Sequence, residues 1–145
     1  MTTINPYLNF NGNTEEAFNF YKSIFGGEFA AVMRFGETPG CDEMPIAEGD
    51  KDKIMHIALP IGDDNVLMAT DGLKSMGQNF SFGDNFSISV STNSREEAEK
   101  LFSGLATGGN IEMPLGDTFW GAYFGMLKDK FGIQWMVSYD EKYSN

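Results

Sequence analysis

The chain has 145 residues, 41% of them hydrophobic, with 13 Phe and 9 Met, which is enough material for one domain with a sizeable core. Its formal net charge of −11 argues against binding to nucleic acid or to anionic membranes, because both carry negative charge. No apolar run approaches the ~20 residues of a membrane span, and no signal-peptide pattern is present, so we expect a cytoplasmic protein.

The first predicted elements are a strand over residues 5–10 and a helix that begins after Asn13. Asn13 is expected to cap this helix, with Glu16 three residues later completing a variant of the capping box. The pair Gly26-Gly27 is expected to end it, because glycine adopts the left-handed C-cap conformation at little cost. The apolar stripe of this helix is predicted to consist of Ala17, Phe20, Tyr21 and Ile24.

A second strand is predicted over residues 29–35, followed by a Pro- and Gly-rich loop, Glu37 to Asp52, that contains the single cysteine, Cys41. A hairpin follows, with strands over 55–61 and 66–70. We therefore expect a first module over about residues 1–72, a linker over about 73–84 and a second module over about 85–145.

The second module repeats the plan of the first. A strand containing Ile88 and Val90 precedes a full capping box of Ser94 and Glu97. The predicted helix stripe is Ala98, Leu101, Phe102 and Leu105, each 81 residues after its counterpart in the first helix. A strand over 110–115 and a closing hairpin over 119–139 complete the module. The chain is thus predicted to be a single α+β domain, residues 1–145, of two pseudo-repeated βαβββ modules.

Each module should give a four-stranded mixed sheet with its helix on one face. Two such curved sheets side by side would form an open cup with the helices outside, and the interior of a cup is a natural ligand site. Strand alternation assigns Ile133, Trp135 and Val137 to the core, together with Met55, Ile57, Leu59 and Ile61.

The candidate ligand-binding residues are those that the alternation turns toward the cup, with one aromatic residue near its rim. They are Tyr7, Asn9, His56, Met68, Ser87, Trp120 and Met136. Trp120 belongs to an aromatic cluster that could stack on a planar or cationic ligand. Such clusters are more often part of a core or of a dimer interface.

His56 is the only histidine, the side-chain type best suited to proton transfer near neutral pH, and is therefore the one weak candidate for a catalytic base. We favour a structural role, because the sequence shows no orienting partner. One histidine and one cysteine make a poor metal site, so we expect no metal and no cofactor. The loop acids Asp63, Asp64 and Asp71 are expected to form turns rather than to bind a hard ion.

Three segments resemble the PhnB-like branch of the vicinal oxygen chelate superfamily, which includes glyoxalases and bleomycin-resistance proteins. They are NPYLNFNGNTEEAFNFYKSIFGGE, MHIALPIGDDNVLMATD and IEMPLGDTFWGAYFGMLKDKFGIQWMV, and together they span nearly the whole chain. The resemblance implies the glyoxalase/bleomycin-resistance fold of paired βαβββ modules, and a homodimer. Members of this branch are also labelled as demethylubiquinone methyltransferase-like, but nothing in the sequence resembles a methyl-donor site.

The resemblance also implies where a divalent ion would sit in metal-dependent members, which use His and Glu ligands from both modules. Those places fall on Asn5, Met68, Asn85 and Met136, none of which is of the family's ligand type. The leading hypothesis is therefore a metal-free binder of an unidentified small organic molecule. The alternative is a divalent-metal-dependent lyase or oxygenase whose site is relocated to His56 and a carboxylate such as Glu112. A third possibility is an interaction module whose cup is filled by its own side chains.

Overall fold

The computed structural model describes residues 2–37 and 46–141, which form eight strands and two helices. In chain order these are β1 (Tyr7–Phe10), α1 (Thr14–Phe25), β2 (Ala31–Arg34), β3 (Ile54–Ile61), β4 (Asn65–Asp71), β5 (Ile88–Ser91), α2 (Arg95–Ala106), β6 (Asn110–Asp117), β7 (Tyr123–Lys128) and β8 (Gln134–Tyr139). Part of the predicted Glu37 to Asp52 loop, including Cys41, lies outside the described residues. Neither helix is long and apolar enough to cross a membrane, among the residues described.

The strands form two four-stranded sheets of the same design. The first has the order β1-β4-β3-β2 and the second the order β5-β8-β7-β6. In each sheet one pair is parallel, β1 with β4 and β5 with β8, and the remaining pairs are antiparallel. The α+β class and the repeated βαβββ order are therefore confirmed.

The chain divides into two compact units, one ending at Ser81 and the other beginning at Phe82. This division falls within the predicted linker, part of which folds back on the first unit. Asn11 holds Phe80 there by two hydrogen bonds, one to the carbonyl and one from the N–H of Phe80. The predicted cup depends on how the two units are arranged, so it stays a prediction.

Each helix packs on its own sheet, and strand alternation buries one face beneath it. Helix α1 contacts β3 and β4, and α2 contacts β6, β7 and β8. The core prediction for the last strand is confirmed, because Ile133, Trp135 and Val137 are all buried. In the first sheet the buried apolar residues are Leu8, Phe10, Ile54, Ile57, Ala58, Leu59, Leu67 and Ala69.

Met55 and Ile61 were expected in this core, and both are only half-buried. A register irregularity explains Met55: Met33 pairs with His56 while the next residue, Arg34, pairs with Ile54, so Met55 is an extra residue in β3. The bulge shifts the alternation by one position, and Ile54 occupies the core in place of Met55. Ile61 is the last residue of β3, where the strand leaves the core for the turn.

The predicted Asn13 capping box is wrong for α1, because the Asn13 side chain makes no capping hydrogen bond. The cap comes instead from Asp71, at the end of β4. One oxygen of its buried carboxylate accepts hydrogen bonds from the backbone N–H groups of Gly12 and Thr14 and from the Thr14 hydroxyl. The other accepts from the N–H of Ile54 at 2.8 Å. A carboxylate at a helix N-terminus also interacts favourably with the positive end of the helix dipole.

The apolar stripe predicted for α1 is partly wrong. Its buried residues are Thr14, Ala17, Phe18 and Tyr21, whereas Phe20 and Ile24 are half-buried. Phe18 packs edge-on against both Phe10 and Tyr21, with ring centroids 6.4 and 5.5 Å apart. Phe20 and Ile24 also fit helical spacing from Ala17, but they lie on the flank of the face that the strands cover.

Helix α2 follows its prediction. Ala98, Leu101, Phe102 and Leu105 are its buried residues, and the Ser94 side chain accepts a hydrogen bond from the N–H of Glu97. Asp129, in the turn between β7 and β8, is buried as well. Its carboxylate accepts from the N–H groups of Phe131 and Ile133 and from the indole N–H of Trp135, so it ties the turn to the largest core side chain.

Candidate functional site

The face of each sheet opposite its helix, which we call the open face, carries most of the candidate residues. In the first unit, cross-strand pairing aligns Ala31, Ala58, Met68 and Tyr7 in one row across β2, β3, β4 and β1. The row therefore sets two small side chains, of which Ala58 is buried, beside a tyrosine and a thioether.

Tyr7 and His56 meet on this open face. The Tyr7 hydroxyl lies 3.1 Å from His56 Nδ1, and the two rings stack with centroids 5.8 Å apart and planes 27° apart. Their strands are separated by β4, so the pair reaches diagonally across the sheet. The orienting partner that sequence reasoning missed for His56 is thus Tyr7.

The environment of the pair suits hydrogen bonding to a ligand. Partial burial raises the pKa of the Tyr7 phenol above its ordinary value, which keeps its hydroxyl protonated and able to donate. When Nδ1 accepts that proton, Nε2 of the neutral imidazole carries the hydrogen and is a donor; the opposite tautomer makes Nε2 an acceptor. Tyr7 is 45% exposed and His56 is half-buried, so an incoming molecule can reach both.

Asn9 and Met68 share the open face with this pair. Met68 pairs directly with Tyr7, and Asn9 pairs with Thr70, two residues further along β1 and β4. The structure thus brings four candidate residues, Tyr7, Asn9, His56 and Met68, onto one surface of the first unit.

The second unit carries the other three candidates. Met136 lies in a row with Met113, Met126 and Ser89 across β6, β7, β8 and β5. Ser87 is half-buried just before β5. Trp120 is 53% exposed in the turn between β6 and β7, and its ring packs edge-on against Phe119 and Phe124. Whether these residues face the same ligand as Tyr7 and His56 stays a prediction.

The positions that the resemblance assigns to a divalent ion do not have suitable ligands. The Asn5 side-chain oxygen accepts a hydrogen bond from the N–H of Val66 at 2.9 Å, and Met68 and Met136 offer only thioethers. Divalent ions of the family's chemistry are held by His, Glu or Asp. The residues present therefore do not fit such an ion.

The described chain also contains no group of three or more His, Cys, Asp or Glu side chains placed to hold a metal. Glu112, the acid suggested for a relocated site, is exposed on edge strand β6 of the second unit. Asp63 and Asp64 lie exposed in the turn between β3 and β4, as expected. Asp71 is not the turn former that we expected, because its carboxylate is the buried cap of α1.

Comparison with known proteins finds a matching family model and several similar structures. The family model described as 3-demethylubiquinone-9 3-methyltransferase matches residues 2–138. The crystal structure of protein PA1353 from Pseudomonas aeruginosa is 44% identical, with a TM-score of 0.84 and coverage of 97% of this chain and 98% of that one.

Two further structures extend the likeness. A putative 3-demethylubiquinone-9 3-methyltransferase, PhnB protein, from Bacillus cereus is 29% identical, with a TM-score of 0.76 over 95% of this chain and 99% of that one. A glyoxalase/bleomycin resistance protein/dioxygenase family enzyme from Burkholderia phytofirmans PsJN is 16% identical, with a TM-score of 0.58 over 92% and 95% of the two chains. At that identity the last structure shows a shared fold alone.

Proposed function

Because the chain belongs to the PhnB-like, 3-demethylubiquinone-9 3-methyltransferase-like branch of the vicinal oxygen chelate superfamily, we propose that it binds a small organic molecule on the open face of its first sheet, without a divalent metal ion. The observation that carries the proposal is the hydrogen-bonded, stacked pair of Tyr7 and His56, both accessible on the open face.

The chemistry of this face indicates what it would bind. A planar molecule could lie on the open face against the exposed Tyr7 ring and the Met68 thioether, which adapts to irregular shapes. The Tyr7–His56 pair would then supply one hydrogen bond through Nε2, and Asn9 further along the face an amide. Few polar groups on an apolar floor are typical of small-molecule sites, where they set orientation and specificity.

The metal-free part of the proposal rests on the donor set. A carboxylate or imidazole ligand is lacking at each of the four positions that family members use for the ion, and Asn5 is engaged with the backbone of β4. We do not extend methyl transfer to this chain, because the sequence shows no methyl-donor site.

A screen of small planar metabolites by thermal shift, followed by titration of the hits, tests the proposal. Tyr7→Phe removes the hydroxyl that holds His56 and should weaken a hit by about two- to tenfold, the range for one hydrogen bond. Tyr139→Phe is the matched control, because it removes the same group from the second sheet, and it should leave the affinity unchanged. A screen without hits, or equal affinities for both variants, would contradict the proposal.

Metal analysis of protein purified without chelator separates this proposal from the metal-dependent alternative. We expect only trace amounts, below about 0.1 equivalents, of zinc, nickel, iron or manganese, because the donor set lacks suitable ligands. Stoichiometric metal that is lost in His56→Ala and Glu112→Ala would establish the relocated site instead.

We also propose that the protein is a homodimer. What supports this is the exposed aromatic pair of Phe119 and Trp120, whose rings meet edge-on with centroids 4.9 Å apart. Phe119 is 98% exposed, and aromatic side chains are enriched in the buried centre of protein interfaces. Light scattering should give the dimer mass for the native chain and a shift toward the monomer for Phe119→Ser. An unchanged mass would remove this support.

A further inference from the structure

A groove of about 480 Å³ lies on the helix side of the second sheet, between α2 and edge strand β6. It is separate from the open faces, and its volume falls within the range of about 300–1,000 Å³ that small-molecule sites occupy. Its floor and walls are apolar, formed by Phe102, Ala106, Ile111, Pro114 and Leu115. Glu99, Ser103, Thr107 and Tyr123 add polar groups to the lining.

Two features of the local sequence accompany the groove. Strand β6 departs from regular register on both sides of Met113, and Pro114 cannot donate a backbone hydrogen bond. Phe102 packs closely on Gly125 of β7, where an added Cβ would come within 2.7 Å of the Phe102 ring. The absence of a side chain at Gly125 thus leaves room for the ring that lines the groove.

The first module shows what the groove would look like if it were filled. The 81-residue repeat places Phe18, Lys22 and Phe25 of α1 at the positions of Glu99, Ser103 and Ala106. Phe18 is fully buried there, and the Lys22 ammonium lies 5.2 Å from the ring of Phe29. Bulky side chains occupy this helix face in module 1, and short or outward-reaching ones leave it open in module 2.

The charged groups at one end of the groove indicate what kind of molecule it would bind. Tyr123 donates a hydrogen bond of 2.9 Å to one oxygen of Glu99, and this bond raises the pKa of the Tyr123 phenol. Arg95 lies over the Tyr123 ring, 4.0 Å from its centroid, but Asp117 neutralises it through two hydrogen bonds of 2.9 and 3.2 Å. The carboxylate of Glu99 thus leaves this end of the groove with one net negative charge, in a protein of net charge −11.

We propose that this groove is a second binding site, which takes an organic cation with an apolar body, such as an aromatic or aliphatic amine. The apolar body would lie against Phe102, Ala106 and Leu115. The ammonium group would bind the Glu99 carboxylate, which accepts hydrogen bonds at either oxygen. The proposal goes beyond the open-face site and does not depend on it, because all of its residues belong to the second unit.

The test is a titration with 2-phenylethylamine and with 3-phenylpropanoate, a probe of similar shape and opposite charge, followed by NMR of methyl-labelled protein. We expect saturable shifts at Ala106 and Leu115 for the amine and about two- to fivefold weaker binding of the carboxylate probe, as for an exposed ion pair. Shifts confined to the first unit, no binding of the amine, or equal affinities for both probes would overturn the proposal.

Three variants sharpen the test. Ala106→Phe restores the module 1 residue and should abolish the shifts, and Ser103→Lys should do so through both bulk and charge, while far-UV circular dichroism confirms folding. Glu99→Gln should weaken the amine about fivefold. Glu16→Gln makes the same charge change on α1 and should have no effect. Retained binding in folded Ala106→Phe and Ser103→Lys, or equal effects of the two Gln variants, would contradict the site.

Discussion

The two modules share one backbone plan but stabilise it with different side chains. In module 1 the N-terminus of the helix is capped from a distance by Asp71 on β4, whereas in module 2 it is capped locally by Ser94. Asn13 and Ser94 are 81 residues apart, at the same place in the repeat. The helix therefore needs an acceptor at this position, and the acceptor need not come from the neighbouring sequence.

The two arginines also form equivalent ion pairs, but the arginine lies on the strand in module 1 and on the helix in module 2. In module 1, Arg34 on β2 holds Glu15 of α1 by hydrogen bonds of 3.0 and 2.6 Å. In module 2, Arg95 of α2 holds Asp117 on β6. Both links tie the first turn of a helix to the edge strand of its sheet, so the repeat keeps the contact and not the residue.

The largest difference between the modules should appear at Phe18 and its counterpart Glu99. Phe18→Ala removes a fully buried ring and should lower the free energy of unfolding by about 3–5 kcal/mol. Glu99→Ala changes an exposed side chain and should stay within about 0.5 kcal/mol. Urea denaturation of both variants measures this. Similar losses would mean that the two helix faces are equally packed, contrary to the groove in module 2.

The two caps should differ next. Asp71→Ala leaves the N–H groups of Thr14 and Ile54 without their buried acceptor and should cost about 2–4 kcal/mol. Ser94→Ala removes one exposed cap bond and should cost about 1 kcal/mol. Hydrogen exchange should localise the first loss to the start of α1 and to β3. Equal costs would show that Asp71 is not the cap of α1.

The arginine links should have the smallest effect, visible at low pH. The hydrogen bond from Arg34 lowers the pKa of Glu15, and that from Arg95 lowers the pKa of Asp117. A carboxyl pKa that is lower in the folded chain adds stability above its unfolded value, here 4.5 for Glu15 and 3.8 for Asp117, and this stability is lost as the pH falls further.

Arg34→Met should therefore flatten the decline in unfolding free energy as the pH falls below about 4.5, by less than about 1 kcal/mol since the pair is partly exposed. Arg95→Met should act in the same direction. Urea denaturation at several pH values provides the measurement. An unchanged or steeper decline in either variant would mean that the carboxylate is not stabilised by its arginine.

The contrast between the modules also explains which parts of the fold could be predicted. Everything predicted correctly for α2 depends on neighbours in sequence: a Ser94 cap three residues before Glu97 and an apolar stripe without competitors. In α1 the local signal was ambiguous, because Asn13 could have capped and Phe20 could have been buried. The cap is decided by Asp71, which lies 57 residues after Thr14 in the sequence. The buried face is decided by packing such as that of Phe18 on Phe10, 8 residues before it.

The candidate site could be predicted only in part for the same reason. Alternation placed Tyr7, Asn9 and Met68 on the open face, because side-chain direction in a strand is a local property. That Tyr7 reaches His56 depends on the parallel pairing of β1 with β4 and on the antiparallel pairing of β4 with β3, and neither leaves a local pattern. The groove beside α2 adjoins the irregular pairing of β6, and its trace in the sequence is the replacement of Phe18, Lys22 and Phe25 by Glu99, Ser103 and Ala106 in the repeat.

The most direct test of the binding site at Tyr7 and His56 is the electron density on the open face of the first sheet, in crystals of protein purified from cells without refolding or added ligand. We predict density for an organic molecule within hydrogen-bonding distance of His56 Nε2 and in contact with Met68. A divalent ion coordinated at that face, or an organic molecule bound only elsewhere on the chain, would contradict the proposed function.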